Sequence, residues 1–407
     1  MGKLRDADSS SFLARHGLRP VVNACAPLTV LGGAQVNTEI RRVVDEVLAV
    51  SVEMADLQRV ASSVIARVTG AEAGCITACS SAGITVSIAA CMTGDNIAKI
   101  KRLPDTDGLR NEVVIQKGHV ITAGGAPISM NIMITGAKPV EVGEAADCGS
   151  FQLQDAIGPN TAAAVFVAAD RARRPGLLSF ENFLKVAKSK DIPVIVDAAG
   201  QMDFTSYIAK GADLVIYSGH KFLGAPTSGM ICGRKDLVRA AYLQEFGIGR
   251  PMKVGKEGVA GLIAALELYE TRDEDVVNEA HLRSLEDLQE RLRGIRGLRT
   301  EIVPEGTETA AYRLMLTLDE YTAGITAYQL GQELMRGNPP IKVHDFRATN
   351  SELYIDPFML NDLEMVIVAD RIREIFAAGP MLSSHQAPEV KTLFDLRAER
   401  LNGWPDR

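Results

Sequence analysis

Between residues 38 and 68 the apolar side chains recur at the spacing of helices buried on one face. Ile40, Val43, Val44, Val47 and Leu48 mark one such helix; Leu57, Val60, Ala61, Val64, Ile65 and Val68 mark a second, closed by glycine in Thr69-Gly70. A third, rich in alanine and apolar throughout, starts among the small residues Ser80-Ser81-Ala82-Gly83 and runs to about Met92. From Val113 the period shortens. Runs of β-branched and apolar residues at 113–116, 139–142, 163–168, 193–197 and 214–217 alternate with helical patterns such as 180–189, which predicts a mostly parallel sheet with helices on both faces. A glycine-rich segment, 246–257, precedes a long helical stretch from about 258 to 293. Beyond it the pattern predicts strands at 312–318, 341–344 and 353–355 and helices at 326–335 and 360–377.

These patterns divide the chain into an N-terminal arm (1–36), a large α/β domain (37–260), a small C-terminal α+β domain (261–380) and a polar tail (381–407). The boundary is expected along the long helix. With 407 residues, 46% of them hydrophobic, the chain can bury a large core. A net charge of -7 argues against a nucleic-acid surface. The polar start and the lack of an apolar run of about 20 residues predict a cytoplasmic protein with no membrane partner. Cys25, Cys75, Cys79, Cys91, Cys148 and Cys232 lie in small or apolar settings without Cys-x-x-Cys spacing, so reduced, buried thiols are expected and no metal.

The chemistry concentrates where strands end. Leu214-Val215-Ile216-Tyr217 stops at Ser218-Gly219-His220-Lys221, and the preceding run stops at Asp197. Alone, Lys221 reads as a solvated lysine and Ser80-Ser81 as an ordinary helix cap. A carboxylate closing an apolar strand, however, is costly to bury without a cationic partner. In a parallel sheet ligands sit at the carboxyl ends of strands, which places His119, Arg171, Arg173, Asp197 and Lys221 at one level of the fold. Pyridoxal 5'-phosphate needs such a set: a lysine amine for its carbonyl carbon, a carboxylate to keep its ring nitrogen protonated, and a helix N-terminus with hydroxyls for its phosphate. Lys221 and Asp197 are the candidates for the first two. Ser80, Ser81 and Ser218 are candidates for the phosphate, and His119 is placed to stack on the ring.

The stretches Val21-Val22-Asn23-Ala24, Thr69-Gly70-Ala71-Glu72-Ala73, Val196-Asp197-Ala198-Ala199, Ser218-Gly219-His220-Lys221-Phe222-Leu223-Gly224-Ala225-Pro226 and Gly229-Met230-Ile231-Cys232-Gly233 resemble the aspartate-aminotransferase-type fold (fold type I) of pyridoxal-phosphate enzymes. Over roughly residues 18–375 the chain looks most like the branch holding L-seryl-tRNA selenium transferase and D-glucosaminate-6-phosphate ammonia-lyase. The resemblance implies a seven-stranded-type, mostly parallel sheet and a homodimer or higher homo-oligomer. It also implies Lys221 as the Schiff-base lysine, Asp197 as the pyridinium partner, His119 as the stacking residue, and Ser80, Ser81, Ala199 and Ser218 as cofactor contacts. The transferase carries an additional tRNA-holding domain, and residues 52–58 here are closer to the ammonia-lyase-like members; a small amino substrate is therefore expected.

An anionic group on that substrate calls for a guanidinium. Arg250 is the first candidate, embedded in glycines and followed by proline, although a salt bridge would explain it equally; Lys253 shares its segment. Arg171 or Arg173 follows a strand on the ligand side. Arg347 occupies a region of the small domain from which this fold often supplies a carboxylate-binding arginine. His220 is expected to be structural, and His344 is left open. The reaction expected is removal of an α-proton by Lys221, then β-elimination to an oxo acid and ammonia. Racemisation, epimerisation or transamination are the alternatives; selenium transfer and cofactor binding without catalysis are the remaining ones.

Overall fold

The computed structural model describes residues 11–123, 126–169, 172, 174–304, 311–379, 398–399 and 401–405. The chain divides into two compact units, Gly33–Arg272 and a second made of Met1–Gly32 with Asp273–Arg407.

A seven-stranded sheet forms the spine of the larger unit. In spatial order its strands are Ala73–Thr77, Gly229–Gly233, Leu214–Ser218, Val194–Asp197, Thr161–Val167, Glu112–Gln116 and Lys138–Val142. Gly229–Gly233 runs antiparallel to both its neighbours. The pairings from Leu214–Ser218 to Lys138–Val142 are all parallel. Two apolar clusters fill the space on the sheet's faces, one around Phe183, Val196 and Tyr217, the other around Ile88, Ile115 and Ile216. The alternation of side chains along each strand explains the split, since Val196 and its neighbours Ile195 and Asp197 must point to opposite faces. Helix Ser80–Thr93 is apolar all round because it lies buried in the second cluster.

The edge strand Ala73–Thr77 is tied to helix Met54–Thr69 by close approach. At Gly74 a Cβ atom would meet the Ile65 side chain at 2.3 Å and the Ile231 carbonyl oxygen at 2.9 Å, so the helix can lie against the strand only because no side chain intervenes. Elsewhere in this unit Asp213 is buried and accepts hydrogen bonds from Lys188 Nζ (2.6 Å), Arg234 (3.2 Å) and the Val194 N–H (2.7 Å), so its charge is fully paired.

The smaller unit has a three-stranded antiparallel sheet of Leu298–Pro304, Tyr312–Leu318 and Glu352–Ile355, packed on helices Glu274–Arg291, Ala327–Arg336 and Asp362–Ala377. Asn361 and Thr326 cap two of these helices reciprocally with Glu364 and Gln329. A second, parallel pair joins Val22–Ala24 to Ile341–Val343.

Several expectations are corrected. The helical stretch 258–293 is two helices, Lys256–Glu270 and Glu274–Arg291, because Asp273 caps the second by accepting the N–H groups of Asp275 and Val276. The unit boundary falls there rather than near residue 260. The arm is divided too: Val22–Ala24 is a strand of the smaller unit, while residues 33–36 belong to the larger. Strands Ala73–Thr77, Gly229–Gly233 and Leu298–Pro304 were not expected from the pattern. Most of the polar tail lies outside the described residues. Among those described, no helix is long and apolar enough to cross a membrane.

Gly74→Ala tests the close approach of helix to edge strand. The added methyl overpacks the Ile65 contact, and the thermal midpoint of the apoprotein is expected to fall by an amount equivalent to ~2 kcal/mol.

Candidate active site

Strands Val194–Asp197 and Leu214–Ser218 lie side by side and parallel, with Asp197 opposite Ile216. Their carboxyl ends therefore release the chain at one edge of the sheet, Asp197-Ala198-Ala199 from one and Gly219-His220-Lys221 from the other. The loop carrying Lys221 is pinned through its backbone. The Gly219 N–H donates to the Ser228 oxygen (2.9 Å), the Ala225 N–H to the Gly219 oxygen (2.9 Å), the Gly224 N–H to the Lys221 oxygen (3.1 Å) and the Ala34 N–H to the His220 oxygen (2.8 Å). Gly224 takes a left-handed φ of +63°, which closes this turn. With its backbone fixed, the half-buried Lys221 retains only side-chain freedom, and its amine has no hydrogen bond or ion pair among the described residues.

Asp197 is short of partners as well. The Ala199 N–H donates to Oδ1 at 3.1 Å, and no cation forms an ion pair with the carboxylate among the described residues. Burial pushes its carboxyl above the ordinary range; the Ala199 hydrogen bond and the positive charge of Lys221 act the other way. A half-buried carboxylate in this state stabilises a cationic N–H brought against it.

The small-residue helix start offers backbone and hydroxyl donors. The first-turn amides of Ser80–Thr93 point outward as at any helix N-terminus, and the capping group is the Cys79 thiol, which accepts the Ala82 N–H at 3.4 Å. That leaves the half-buried Ser80 hydroxyl uncommitted among the described residues. Ser81 is exposed and donates to Asn131 Oδ1 at 2.7 Å. Gly229 allows the start of the helix to sit on the sheet, since a Cβ there would stand 2.4 Å from the Cys79 carbonyl carbon and the Ser80 nitrogen. Ser218 is buried with its hydroxyl 3.3 Å from His220 Nδ1. His220 also packs tightly, its Cδ2 lying where a Cβ on Gly33 would come within 2.5 Å. Its other nitrogen, Nε2, is buried and has no partner among the described residues. Burial and the neighbouring Lys221 charge hold its imidazole below its usual pKa.

His119 departs from expectation. It does follow strand Glu112–Gln116, but it is only 1% exposed and meets Phe166 edge-on at 4.6 Å, so it offers no open ring face. The Val167 N–H donates to Nδ1 at 3.1 Å, which puts the imidazole hydrogen on Nε2. There it faces the Gln116 amide nitrogen at 3.2 Å, whose orientation is set by Leu178, because the Leu178 N–H donates to Gln116 Oε1 (2.8 Å) and its oxygen accepts from Gln116 Nε2 (3.3 Å). Protonation would place a second ring hydrogen, on Nδ1, against the Val167 N–H and cost that hydrogen bond. Burial pushes the His119 pKa down to about 4.

The basic residues are dispersed. Arg250, 65% exposed, opens a short 3-10 turn and lies 3.7 Å from Glu245; Lys253 is exposed just beyond. Arg347 belongs to the smaller unit and stands 3.6 Å from Glu352. His344, also there, is pushed down to about 3 by burial and by the charges of Arg313 and Lys342. Arg171 and Arg173 lie outside the described residues. Sequence reasoning passed over the unpartnered Nε2 of His220, the Cys79 cap and the close approach at Gly229. Only the Ser-x-His-Lys spacing carried a signal for the first of these.

A free amine, a carboxylate short of a cation and a hydroxyl-bearing helix start form the donor set that pyridoxal 5'-phosphate requires. Comparison with known proteins agrees. A family model described as SelA, L-seryl-tRNA selenium transferase, matches residues 35–303. A 5'-C-glycyluridine monooxygenase-decarboxylase from a Streptomyces sp is 38% identical over 361 residues, covering 88% of this chain and 90% of the relative. The D-glucosaminate-6-phosphate ammonia lyase of Salmonella typhimurium is 35% identical over 359 residues, covering 88% and 96%. A solved D-glucosaminate-6-phosphate ammonia-lyase structure superposes with a TM-score of 0.83 at 34% identity, covering 90% of this chain and 98% of that one.

The neutral His119 makes a pH prediction. Its folded pKa of about 4 lies below the ordinary 6.5, so its penalty is absent above pH 6.5. As pH falls from there towards about 4 the unfolded chain gains a proton that the folded one refuses, and stability drops by up to ~3 kcal/mol before levelling off. Denaturant titration of the apoprotein at pH 7 and pH 5 should show a smaller loss in His119→Gln than in the wild type.

Proposed function

The chain belongs to the L-seryl-tRNA selenium transferase family, and from that premise we propose that it is a carbon–nitrogen lyase that removes ammonia from a small amino acid or amino sugar acid. Its cofactor is pyridoxal 5'-phosphate, as for other enzymes of fold type I. The observation that carries the reading is the placement of Lys221 and Asp197 just beyond and at the carboxyl ends of adjacent parallel strands, neither held in a salt bridge among the described residues.

In this reading Lys221 Nζ attaches the cofactor through its carbonyl carbon. Asp197 holds the proton on the ring nitrogen, with its Oδ1 oriented by the Ala199 N–H. Ser80, Ser81 and Ser218 with the first-turn amides take the phosphate. The bound cofactor supplies an electron sink for the pair left behind when a Cα–H bond breaks. His119 backs the site as a packed neutral ring; the stacking role proposed from its position requires it to expose a face on cofactor binding.

Released from the cofactor, Lys221 Nζ would serve as the base that takes up the α-proton. With a β-hydroxyl on the substrate, the Cβ–O bond breaks as hydroxide leaves with a proton, and the water so formed is balanced by the water consumed when the amine hydrolyses off. The net change is amino acid to oxo acid plus ammonia. Arg250 and Lys253 are the proposed anchors for the substrate's anionic group, with Arg171 and Arg347 as further candidates. Exposed Leu48, Val50, Val52 and Val60 support assembly as a homodimer or higher oligomer, and six free cysteines suit the reducing cytoplasm.

The similarity to a monooxygenase-decarboxylase favours a second reading, in which an amino acid loses its carboxyl group with consumption of oxygen. One panel separates the two. Purified holoprotein is incubated with D- and L-amino acids and amino sugar acids while ammonia, oxo acid, carbon dioxide and oxygen are followed. Ammonia and oxo acid in equal amounts without oxygen uptake are expected; oxygen-dependent carbon dioxide release would replace the lyase with the second reading, and racemisation without ammonia would remove both. In the same assay Lys221→Ala should lose activity by a factor on the order of 10³ or more, along with the absorbance of the lysine-bound cofactor.

A further inference from the structure

The edge strand Ala73–Thr77 has a pairing partner on one side only, Gly229–Gly233. In an antiparallel ladder alternate residues turn their N–H and C=O groups away from the partner, so the far edge presents unpaired polar backbone. Here helix Met54–Thr69 supplies the missing strand with side chains. Gln58, 6% exposed, uses both ends of its amide on a single residue: the Ile76 N–H donates to Oε1 at 2.9 Å, and Nε2 donates to the Ile76 oxygen at 2.7 Å. Ser62 Oγ accepts the Gly74 N–H at 3.1 Å. The contact at Gly74 that brings this helix so near is what allows these side chains to reach.

Only Thr77, Ala78 and Cys79 separate Ile76 from Ser80. That link is short and stiff. Thr77 Oγ1 donates to the Cys79 oxygen at 2.9 Å, the same oxygen accepts the Gly83 N–H at 3.0 Å, and Gly229 abuts the Cys79–Ser80 peptide from the sheet side. The helix start is thus located by two fixed points, Gly229 on the sheet and Ile76 through Gln58. We infer that Gln58 is a positioning residue for the cofactor phosphate: its amide clamp on Ile76 sets where the Ser80 amides and hydroxyl stand. The inference rests on the phosphate lying at the Ser80 helix start, as proposed above. A buried glutamine that only completed a sheet edge would contribute to stability alike with or without phosphate; one that aims a helix start would matter to the phosphate in particular.

The test compares equilibrium binding of pyridoxal 5'-phosphate and of pyridoxal, which lacks the phosphate, to the apoprotein by fluorescence titration. Gln58→Leu, with its fold checked by circular dichroism, is expected to weaken pyridoxal 5'-phosphate about tenfold and leave pyridoxal unchanged. Gln58→Glu keeps the acceptor for the Ile76 N–H but loses the donor, and should fall between; it carries the test if Gln58→Leu does not fold. Equal weakening of both ligands, or of neither, would overturn the inference. Ser80→Asp in the same titration distinguishes the sources of failure. If it selectively weakens pyridoxal 5'-phosphate and the Gln58 variants do not, the positioning role alone is wrong; if it too is without selective effect, the phosphate placement falls with it.

Discussion

The parallel pairing of Val194–Asp197 with Leu214–Ser218 is the constraint on which the site depends. Because both strands run the same way, their ends open at one edge of the sheet, and because Asp197 stands opposite Ile216, the segment that carries Lys221 leaves its strand beside the one that ends in Asp197. A slip of a single residue would turn Asp197 to the other face of the sheet. Val194, Ile195 and Val196 are fully buried between the two apolar clusters, and the fit of their side chains there opposes that slip. Packing and chemistry are thus coupled: the residues that fix the register also set how far the carboxylate is removed from water.

The helix start at Ser80 depends on a different kind of constraint, the exclusion of side chains. Gly229 and Gly74 are places where backbone or a neighbouring helix comes nearer than any Cβ permits. Between them they bring an edge strand, its covering helix and the first turn of Ser80–Thr93 into one rigid block. The cost is a strand with little side-chain packing of its own, and hydrogen bonds from Gln58 and Ser62 offset it.

Much of the large unit was legible because strands buried on both faces read as short β-branched runs. Val113–Ile115, Val194–Val196 and Leu214–Tyr217 are of that kind. Ala73–Thr77 and Gly229–Gly233 were not legible, since their glycines, needed for close approach, erase the β-branched signature. The break between Glu270 and Glu274 carried a signal, an acidic residue ahead of two more, but helical periodicity on either side masked it. Lys221 and Asp197 could be proposed because the chemistry calls for those residue types at strand ends. The surroundings of His119 could not, because Val167 and Leu178, which settle its tautomer and the orientation of Gln116, are brought to it only by tertiary structure.

The smaller unit is assembled from two separated parts of the chain, with Val22–Ala24 paired to Ile341–Val343 and the Asp356 N–H donating to the Ala24 oxygen. On the ribosome this imposes an order. Gly33–Arg272 is uninterrupted and has all its strands once Gly233 has emerged, whereas Val22–Ala24 must wait, unpaired, until residue 343 is synthesised. Nascent chains stalled before that point would carry all strands of the seven-stranded sheet with Val22–Ala24 still unpaired.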